Sequence, residues 1–163
     1  MTLYTQIPSP VGPLTLTSNG KALTSLWFDK QEQSRDLSFW RRDDAAFAQV
    51  LRELAEYFAG ERQEFTVELA PQGTPFQQRV WAALREIPYG ETTSYGEIAR
   101  RLGDANAMRA VGTANGRNPI SVIVPCHRVI GADGSMTGYG GGIDRKRWLL
   151  GHEARFATTT LFG

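Results

Sequence analysis

The chain contains 163 residues, enough for one domain or two small ones. Hydrophobic residues make up 41% and charged residues 21%, which argues against a disordered chain. No apolar run reaches the ~20 residues that a membrane span needs. A single cysteine excludes an internal disulfide and, with only two histidines, a multi-cysteine zinc site within one chain. We therefore expect no metal, no signal peptide and a location in the reducing cytoplasm.

The net charge is only +1, but it is unevenly distributed. Residues 1–72 contain 7 basic and 10 acidic side chains, a net of −3, whereas residues 73–163 contain 11 and 7, a net of +4. Ten of those eleven cations are arginine, which suits bidentate and stacking contacts with phosphates and bases. This favours nucleic acid as a partner, although solvated surface arginines would give the same composition.

The first part, residues 1–72, predicts a small α+β scaffold domain. Leu14–Thr17 alternate as a strand does, Ser18–Lys21 has the composition of a hairpin turn, and Ala22–Phe28 predict a second strand. A helix is predicted to begin at Arg42–Asp44. Its apolar side chains recur at helical spacing: Phe47, Val50, Leu51, Leu54 and Phe58.

The second part, residues 73–163, predicts a mostly helical domain. Thr74–Gln77 combine a helix cap, a first-turn proline and a capping glutamine. Ser94–Glu97 form a second capping box and begin a short helix closed by Gly103, and another helix is predicted from about Asn106 to Gly116. Two short helices joined by a tight glycine turn are typical of a helix-turn-helix.

The second of these helices is rich in small side chains: Ala107, Ala110, Gly112, Thr113, Ala114 and Gly116. Small side chains allow a helix to approach a nucleic-acid groove closely, but they also allow tight packing against another helix. The composition does not separate these interpretations. Arg109 and Arg117 flank the small surface and favour DNA.

The single cysteine, Cys126, lies in an apolar, β-branched run, Ile120–Ile130. A lone cysteine is most often a small buried hydrophobic residue, but His127 follows this one directly. A thiol with a pKa of about 8.5 is only a few per cent thiolate at neutral pH, so a nucleophile needs a base or a nearby cation. On an extended segment adjacent side chains point to opposite faces, so His127 would act through a bridging water or an irregular backbone. Glu153, beside a helix predicted over Asp144–His152, is a candidate to orient the imidazole.

Pro125-Cys126-His127-Arg128-Val129 resembles the active-site signature of the methylated-DNA–protein-cysteine methyltransferases, the O6-alkylguanine-DNA alkyltransferases. The resemblance covers about Gly73 to Glu153 and is weaker over the first part. Further segments are similar to family motifs in the family's order and spacing: Thr93-Ser94-Tyr95, Arg109-Ala110-Val111-Gly112, Asn118-Pro119, Gly138-Tyr139 and Trp148–Glu153.

The resemblance implies a DNA repair protein that moves the alkyl group of O6-alkylguanine irreversibly onto Cys126, once per molecule and without a cofactor. It implies that His127 is the base, acting through a water, and that Glu153 holds it. Asn118 would order this network, and Tyr95 would donate a proton as the alkyl group leaves. The implied partner is double-stranded DNA; a membrane partner is not expected.

DNA-contacting positions follow from the same resemblance. Arg109 would enter the duplex and fill the space of a flipped nucleotide, and the loop Ser135–Gly141 would form a wall of the base pocket. The other implied DNA contacts are Ser94, Met108, Gly112, Arg128 and Tyr139. Whether O4-methylthymine is also a substrate, and whether the expected monomer binds DNA cooperatively, stays open.

Two alternatives from other classes remain at this point. A helix-turn-helix regulator with an incidental cysteine explains the two helices but not the Cys-His and His-Glu pairs. A cysteine hydrolase with a Cys-His-Glu set explains the pairs, and it would regenerate its thiol.

Overall fold

The computed structural model describes residues 2–28, 37–135, 139 and 142–160, with side chains as far as 157. The chain divides into two compact units, residues 1–72 and 73–163. The first contains β1 (Leu3–Ile7), β2 (Leu14–Ser18), β3 (Leu23–Phe28), β4 (Arg41–Arg42) and α1 (Ala48–Phe58). The second contains α2 (Pro75–Arg85), β5 (Thr93–Ser94), α3 (Tyr95–Arg101), α4 (Met108–Gly116), β6 (Val129–Ile130) and α5 (Ile143–Thr160). The predicted α+β class is confirmed.

The first unit is built on a four-stranded sheet in the order β3-β2-β1-β4, antiparallel except for the β1–β4 pair. The predicted hairpin between β2 and β3 is present. Asn19 shapes its turn, because Asn19 Oδ1 accepts hydrogen bonds from the backbone N–H groups of Lys21 and Ala22, both at 2.9 Å. Gly20 completes the turn with a φ of 96°, which a side chain would strain.

The sequence analysis missed β1 and β4 and placed the helix start too early. Arg41 and Arg42 pair with Leu3 and Tyr4 as a short parallel strand. Asp43 then caps a 3₁₀ turn over Asp44–Phe47, and α1 follows. Most of the predicted stripe lies in the core, since Phe47, Val50 and Leu54 are buried, but Leu51 and Phe58 are half-buried. Tyr57 takes the remaining core position.

Helix α2 begins as the sequence predicts. Thr74 Oγ1 accepts from Gln77 N at 3.1 Å and Gln77 Oε1 accepts from Thr74 N at 2.9 Å, which completes the capping box. The helix buries Val80, Trp81 and Leu84, and the indole N–H of Trp81 donates to the Ala114 carbonyl of α4 at 2.9 Å. This hydrogen bond ties the first helix of the unit to the helix-turn-helix.

The predicted helix-turn-helix consists of α3 and α4. Ser94 caps α3 by accepting from Glu97 N at 3.1 Å, and Gly103 ends the first helix with a φ of 84°. A 3₁₀ turn at Ala105–Ala107 leads into α4, so the second helix begins two residues later than predicted. In the part of the chain that the structure describes, no helix has the length and apolar character to span a membrane.

Candidate active site

Cys126 lies on a turn that the sequence analysis treated as extended chain. Residues 126–128 form a 3₁₀ turn directly after Pro125, and Arg128 N donates to Pro125 O at 3.0 Å. The run before it is also bent, because Val122 adopts a φ of 71°, a strained value for a β-branched residue. The expectation of an extended segment was therefore wrong, and the irregular backbone buries the side chains of Cys126, His127 and Arg128 together.

Asn118 fixes the chain that leads to this turn. Its Nδ2 donates to Val124 O at 2.8 Å and to Ile120 O at 3.4 Å, and its Oδ1 accepts from Ile120 N at 3.0 Å. These bonds satisfy backbone groups of an irregular segment that no sheet pairs. Asn118 also interacts with the thiol of Cys126. The structure thus places Asn118 beside the cysteine, as the sequence-based prediction requires.

Glu153 of α5 lies beneath the turn and contacts two of its residues. His127 Nε2 is 2.7 Å from Glu153 Oε2. Arg128 donates through Nε to Oε1 at 2.7 Å and through Nη2 to Oε2 at 3.0 Å, and its Nη1 donates to the Ile87 carbonyl at 2.7 Å. The carboxylate is 1% exposed, so these contacts replace its hydration.

The partners of Glu153 determine which ring nitrogen of His127 is free. Burial alone would raise the pKa of Glu153, but His127 and Arg128 hold it well below its usual range, so the carboxyl is ionised. An ionised carboxylate only accepts, which places the ring hydrogen of His127 on Nε2. Nδ1 is then an acceptor, and it is buried without a hydrogen-bond partner among the described residues.

Burial governs both the thiol and the imidazole. Burial raises the pKa of the Cys126 thiol. Hydrogen bonds from Asn118 and Tyr139 and the charge of Lys146 act in the opposite direction and lower that pKa. Burial lowers the pKa of His127, and the charges of Arg128 and Lys146 act in the same direction against Glu153. At rest the pair is therefore a neutral thiol and a neutral imidazole.

Lys146 is a site residue that the sequence analysis missed. Its side chain on α5 is completely buried, and Nζ donates to Val129 O at 2.6 Å and lies 6.0 Å from the ring centre of Tyr139. It faces the thiol closely enough to oppose the rise in the pKa of Cys126. One signal was available: Lys146 is the single lysine among the eleven cations of residues 73–163.

The helix-turn-helix is tied to the cysteine turn. Strand β5 pairs in parallel with β6, Thr93 with Val129 and Ser94 with Ile130, so Tyr95 begins α3 beside the end of the turn. From α4, Asn115 Nδ2 makes a long contact of 3.5 Å with the Cys126 carbonyl. No sequence pattern indicated this contact of Asn115, because it depends on the fold.

The predicted DNA-contacting residues of this region divide by exposure. Met108 and Arg109 are exposed on α4, whereas Gly112 is half-buried and a Cβ there would lie 3.9 Å from the Tyr95 ring. The small side chains also divide: Ala114 packs inward, while the following are exposed: Ala110, Thr113 and Gly116. Helix packing therefore accounts for Ala114, and the approach of the exposed small side chains to a nucleic-acid groove stays a prediction.

Arg128 does not fit the predicted contact with DNA. It is 7% exposed, and all three guanidinium nitrogens donate to Glu153 or Ile87. The contact with DNA was expected from the family resemblance, whereas here the buried carboxylate of Glu153 binds the guanidinium. Of the predicted pocket loop, the structure describes Ser135 and Tyr139; Met136–Gly138 and Gly140–Gly141 lie outside the described residues.

Among the described residues, no three His, Cys, Asp or Glu side chains are grouped to hold a metal ion. The groups that the structure brings together at the site are a buried thiol, an imidazole whose Nδ1 has no hydrogen-bond partner among the described residues, and a charged carboxylate behind the imidazole. This set favours nucleophilic catalysis with a general base.

Comparison with known proteins identifies the family. The family model described as the DNA binding domain of 6-O-methylguanine DNA methyltransferase matches residues 75–155, and that described as its ribonuclease-like domain matches residues 2–71. The chain belongs to the O6-methylguanine-DNA methyltransferase family. The family predicted from the cysteine motif is confirmed.

Relatives match this methyltransferase chain along most of its length. A methylated-DNA–protein-cysteine methyltransferase of Mycobacterium bovis is 58% identical over 147 residues, 90% of this chain and 89% of the relative. One from Methanosarcina acetivorans is 50% identical over 148 residues, 90% and 95% of the two chains. The crystal structure of Mycobacterium tuberculosis OGT in complex with DNA is 56% identical, has a TM-score of 0.89 and covers 99% of each chain.

Proposed function

We propose that the protein repairs DNA by transferring the alkyl group of O6-methylguanine to its own Cys126. The observation that carries the proposal is the buried row of Cys126, His127 and Glu153, in a chain of this family. The helix-turn-helix regulator is not favoured, because it gives no role to a base held by a buried carboxylate beside the thiol. The site needs no cofactor for this chemistry.

The first step is removal of the thiol proton. The described residues contain no direct hydrogen bond between Cys126 Sγ and His127, and Nδ1 is the acceptor available on the ring. We therefore route the proton from Sγ through one water molecule to Nδ1. Glu153 stabilises the resulting imidazolium, as an orienting carboxylate does in a catalytic triad.

The thiolate then attacks the alkyl carbon. The S–C bond forms as the C–O6 bond breaks, and the electron pair goes to the guanine. Tyr95 donates a proton to the base, and the proton held by His127 replaces it through solvent, so the products are guanine and S-alkylcysteine. A thioether is not displaced by water under mild conditions, and the chain has no second cysteine. Each molecule therefore acts once.

The reaction requires the guanine to leave the base stack, at a cost of a few kcal/mol. We assign this step to the exposed face of α4. Its small side chains allow close approach to a minor groove, and Arg109 is exposed where it can fill the vacated space. Ser94, Met108 and Gly112 belong to the same surface, and Tyr139 to the pocket for the extruded base. Residues 1–72 act as the scaffold domain, and residues 73–163 bind DNA and transfer the alkyl group.

The partner is double-stranded DNA that contains O6-alkylguanine, bound by a monomer in the cytoplasm. The test is the intact mass of the protein after incubation with a duplex containing O6-methylguanine, beside the same duplex containing guanine. We expect a permanent gain of one methyl group per molecule on Cys126, with the lesion duplex only. A regulator would show no gain, and a hydrolase would regenerate its thiol. A duplex with O4-methylthymine extends the assay to the second lesion.

A further inference from the structure

Arg128 and His127 share one carboxylate. Glu153 Oε2 contacts both His127 Nε2, at 2.7 Å, and Arg128 Nη2, at 3.0 Å, while Oε1 accepts from Arg128 Nε at 2.7 Å. The remaining Nη1 is bound to the Ile87 carbonyl at 2.7 Å. The guanidinium of Arg128 is therefore held by Glu153 on one side and by the Ile87 carbonyl on the other, and it fixes the orientation of the Glu153 carboxylate relative to the imidazole.

The titratable groups around His127 come from several elements. Glu153 and Lys146 face it from α5, and Cys126 and Arg128 from its own turn. Two tyrosines complete the surroundings: Tyr89, whose ring lies 5.7 Å from the Arg128 guanidinium, faces Glu153, and Tyr139 faces Cys126. Both phenols are protonated, because burial raises the pKa of Tyr89 to about 12 and that of Tyr139 well above its usual value.

Among these groups, the carboxylate of Glu153 is the one negative charge, and a cation in contact with it must compensate that charge. Lys146 Nζ is bound to the Val129 carbonyl, whereas Arg128 makes a bidentate ion pair with the carboxylate. If Arg128 were absent, His127 would be the cation partner in direct contact with Glu153. A buried carboxylate draws a proton onto an imidazole it contacts, and a protonated imidazole cannot accept the thiol proton.

We propose that Arg128 is a positioning residue: by sharing Glu153 with His127, it keeps the imidazole uncharged in the resting protein, so that Nδ1 can take the proton of Cys126. This role rests on the proposed function. It assigns Arg128 a part in the reaction without contact with DNA or with the reacting atoms.

The test uses Arg128→Met, which removes the charge, and Arg128→Lys, which keeps a charge but not the bidentate contact. Arg62→Met is the matched control, because Arg62 pairs with Glu56 in the other compact unit. Two quantities are measured in each: the titration midpoint of the His127 ring by NMR, and the single-turnover rate against pH. With two histidines in the chain, a His152→Gln sample assigns the His127 signals.

In Arg128→Met we expect the His127 midpoint to rise by about one pH unit or more, a tenfold gain in proton affinity. At a pH one unit below the midpoint of the variant, only about one tenth of His127 is neutral, so the rate there should be roughly five- to tenfold below that of the wild type, and raising the pH should restore it. Arg128→Lys should lie between Arg128→Met and the wild type. Arg62→Met should match the wild type in both measurements. A folded Arg128→Met protein with an unchanged His127 midpoint, or with an equal rate loss at every pH, would overturn the proposal.

Circular dichroism shows whether each variant is folded. If Arg128→Met does not fold, the double variant Arg128→Met/Glu153→Gln removes both members of the ion pair and leaves no uncompensated charge. Its His127 midpoint should not exceed that of the wild type, whereas that of Arg128→Lys should; any other pair of results rejects the proposal. The NMR midpoint does not depend on alkyl transfer, so a wild type that gains no methyl group defeats the proposed function alone.

Discussion

Glu53 in the first unit and Glu153 in the second are both completely buried, but they are held in different ways. Glu53 accepts from neutral donors: Oε1 from the backbone N–H groups of Thr66 and Val67, at 2.9 and 3.2 Å, and Oε2 from Thr66 Oγ1 and Gln49 Nε2, at 2.5 and 3.1 Å. Glu153 is held by a guanidinium and an imidazole. Burial would raise the pKa of each, and these partners lower it instead.

The difference between the two sites lies in the partners. The donors of Glu53 keep their protons at any ordinary pH, so this carboxylate only fastens α1 to residues 66–67. Glu153 contacts a base that can take up a proton, next to a thiol that can lose one. A buried carboxylate therefore marks a reactive site when one of its partners titrates and the partner's other side faces a nucleophile.

The largest expected effect follows from removing the nucleophile beside Glu153. Cys126→Ser should abolish alkyl transfer, because a serine hydroxyl is a far poorer nucleophile without a strong base. Affinity for duplex DNA should stay close to that of the wild type, since the side chains proposed to contact the duplex, such as Met108 and Arg109, are unchanged. Intact mass and a binding titration measure the two quantities. Stoichiometric methyl uptake by the serine variant would remove Cys126 from the reaction.

Substitution of the two glutamates by glutamine compares them directly. Glu153→Gln should slow single-turnover alkyl transfer by roughly 10²–10⁴-fold, the usual contribution of a general base, because the imidazole loses its charged orienter. Stability should fall as well, since Arg128 is left as an unpaired buried charge. Stopped-flow or quenched-flow kinetics on a lesion duplex give the rate.

Glu53→Gln is the matched control. It should lower the free energy of unfolding by about 1–3 kcal/mol, because the amide presents one N–H₂ group to donors that need an acceptor. The rate of alkyl transfer at a temperature where the variant is folded should equal that of the wild type. A Glu53 variant that is stable but slow, or a Glu153 variant that is folded and fast, would contradict the distinction between the two carboxylates.

Substitution of an exposed arginine should slow repair when the arginine lies on α4 of the second unit, but not when it lies on α1 of the first. Arg109→Ala should slow repair of duplex DNA by roughly 10–100-fold, because the side chain offsets part of the few kcal/mol needed to extrude the nucleotide. A single strand leaves no gap to fill, so the loss there should be smaller. Arg52→Ala, an exposed arginine on α1, should change neither rate. Equal losses on both DNA forms, with a log–log salt slope smaller by about one, would instead make Arg109 a phosphate contact.

The elements that the sequence predicts best are those with local signals. The Thr74 capping box, the Ser94 cap and the Asn19-Gly20 turn are specified by neighbouring side chains, and all three are present. Strand β4 was missed because Arg41 and Arg42 form it only by pairing with Leu3 and Tyr4. Such a pairing depends on residues that are distant along the chain.

Prediction of the site from the sequence was limited in the same way, because it missed contacts between residues that are distant along the chain. Cys126, His127 and Glu153 were predicted together, from the motif and from the need for a carboxylate behind the imidazole. The turn itself was not, because the apolar run Ile120–Ile130 has the composition of a strand, whereas in the structure Asn118 satisfies backbone groups of Ile120 and Val124 that a sheet would otherwise pair. The buried roles of Arg128 and Lys146 went against the usual exposure of basic side chains. Arg128 also binds Ile87 O and Lys146 binds Val129 O, and these acceptors are backbone groups without a sequence signature.

The smallest expected effect is the pH dependence of stability, which should differ between the two units because of His127. The folded pKa of His127 lies below its ordinary value of 6.5, so below that pH the unfolded chain binds more protons than the folded one. The stabilisation that comes from a neutral His127 is therefore complete above about pH 6.5 and is lost as the pH decreases, by at most about 1.4 kcal/mol per pH unit. Glu53 and Glu153 have pKa values below their ordinary 4.5, so their stabilisation is lost only at lower pH. Both histidines lie in residues 73–163, so the first unit contains no histidine whose protonation could lower its stability in this pH range.

Hydrogen exchange measures this difference between the units. Between pH 6.5 and 4.5, core amides of the second unit should lose protection, after correction for intrinsic exchange rates, and the variant His127→Gln should lose less. A loss of the same size in that variant would show that His127 is not held neutral, and the contrast between the two carboxylates would lose its basis.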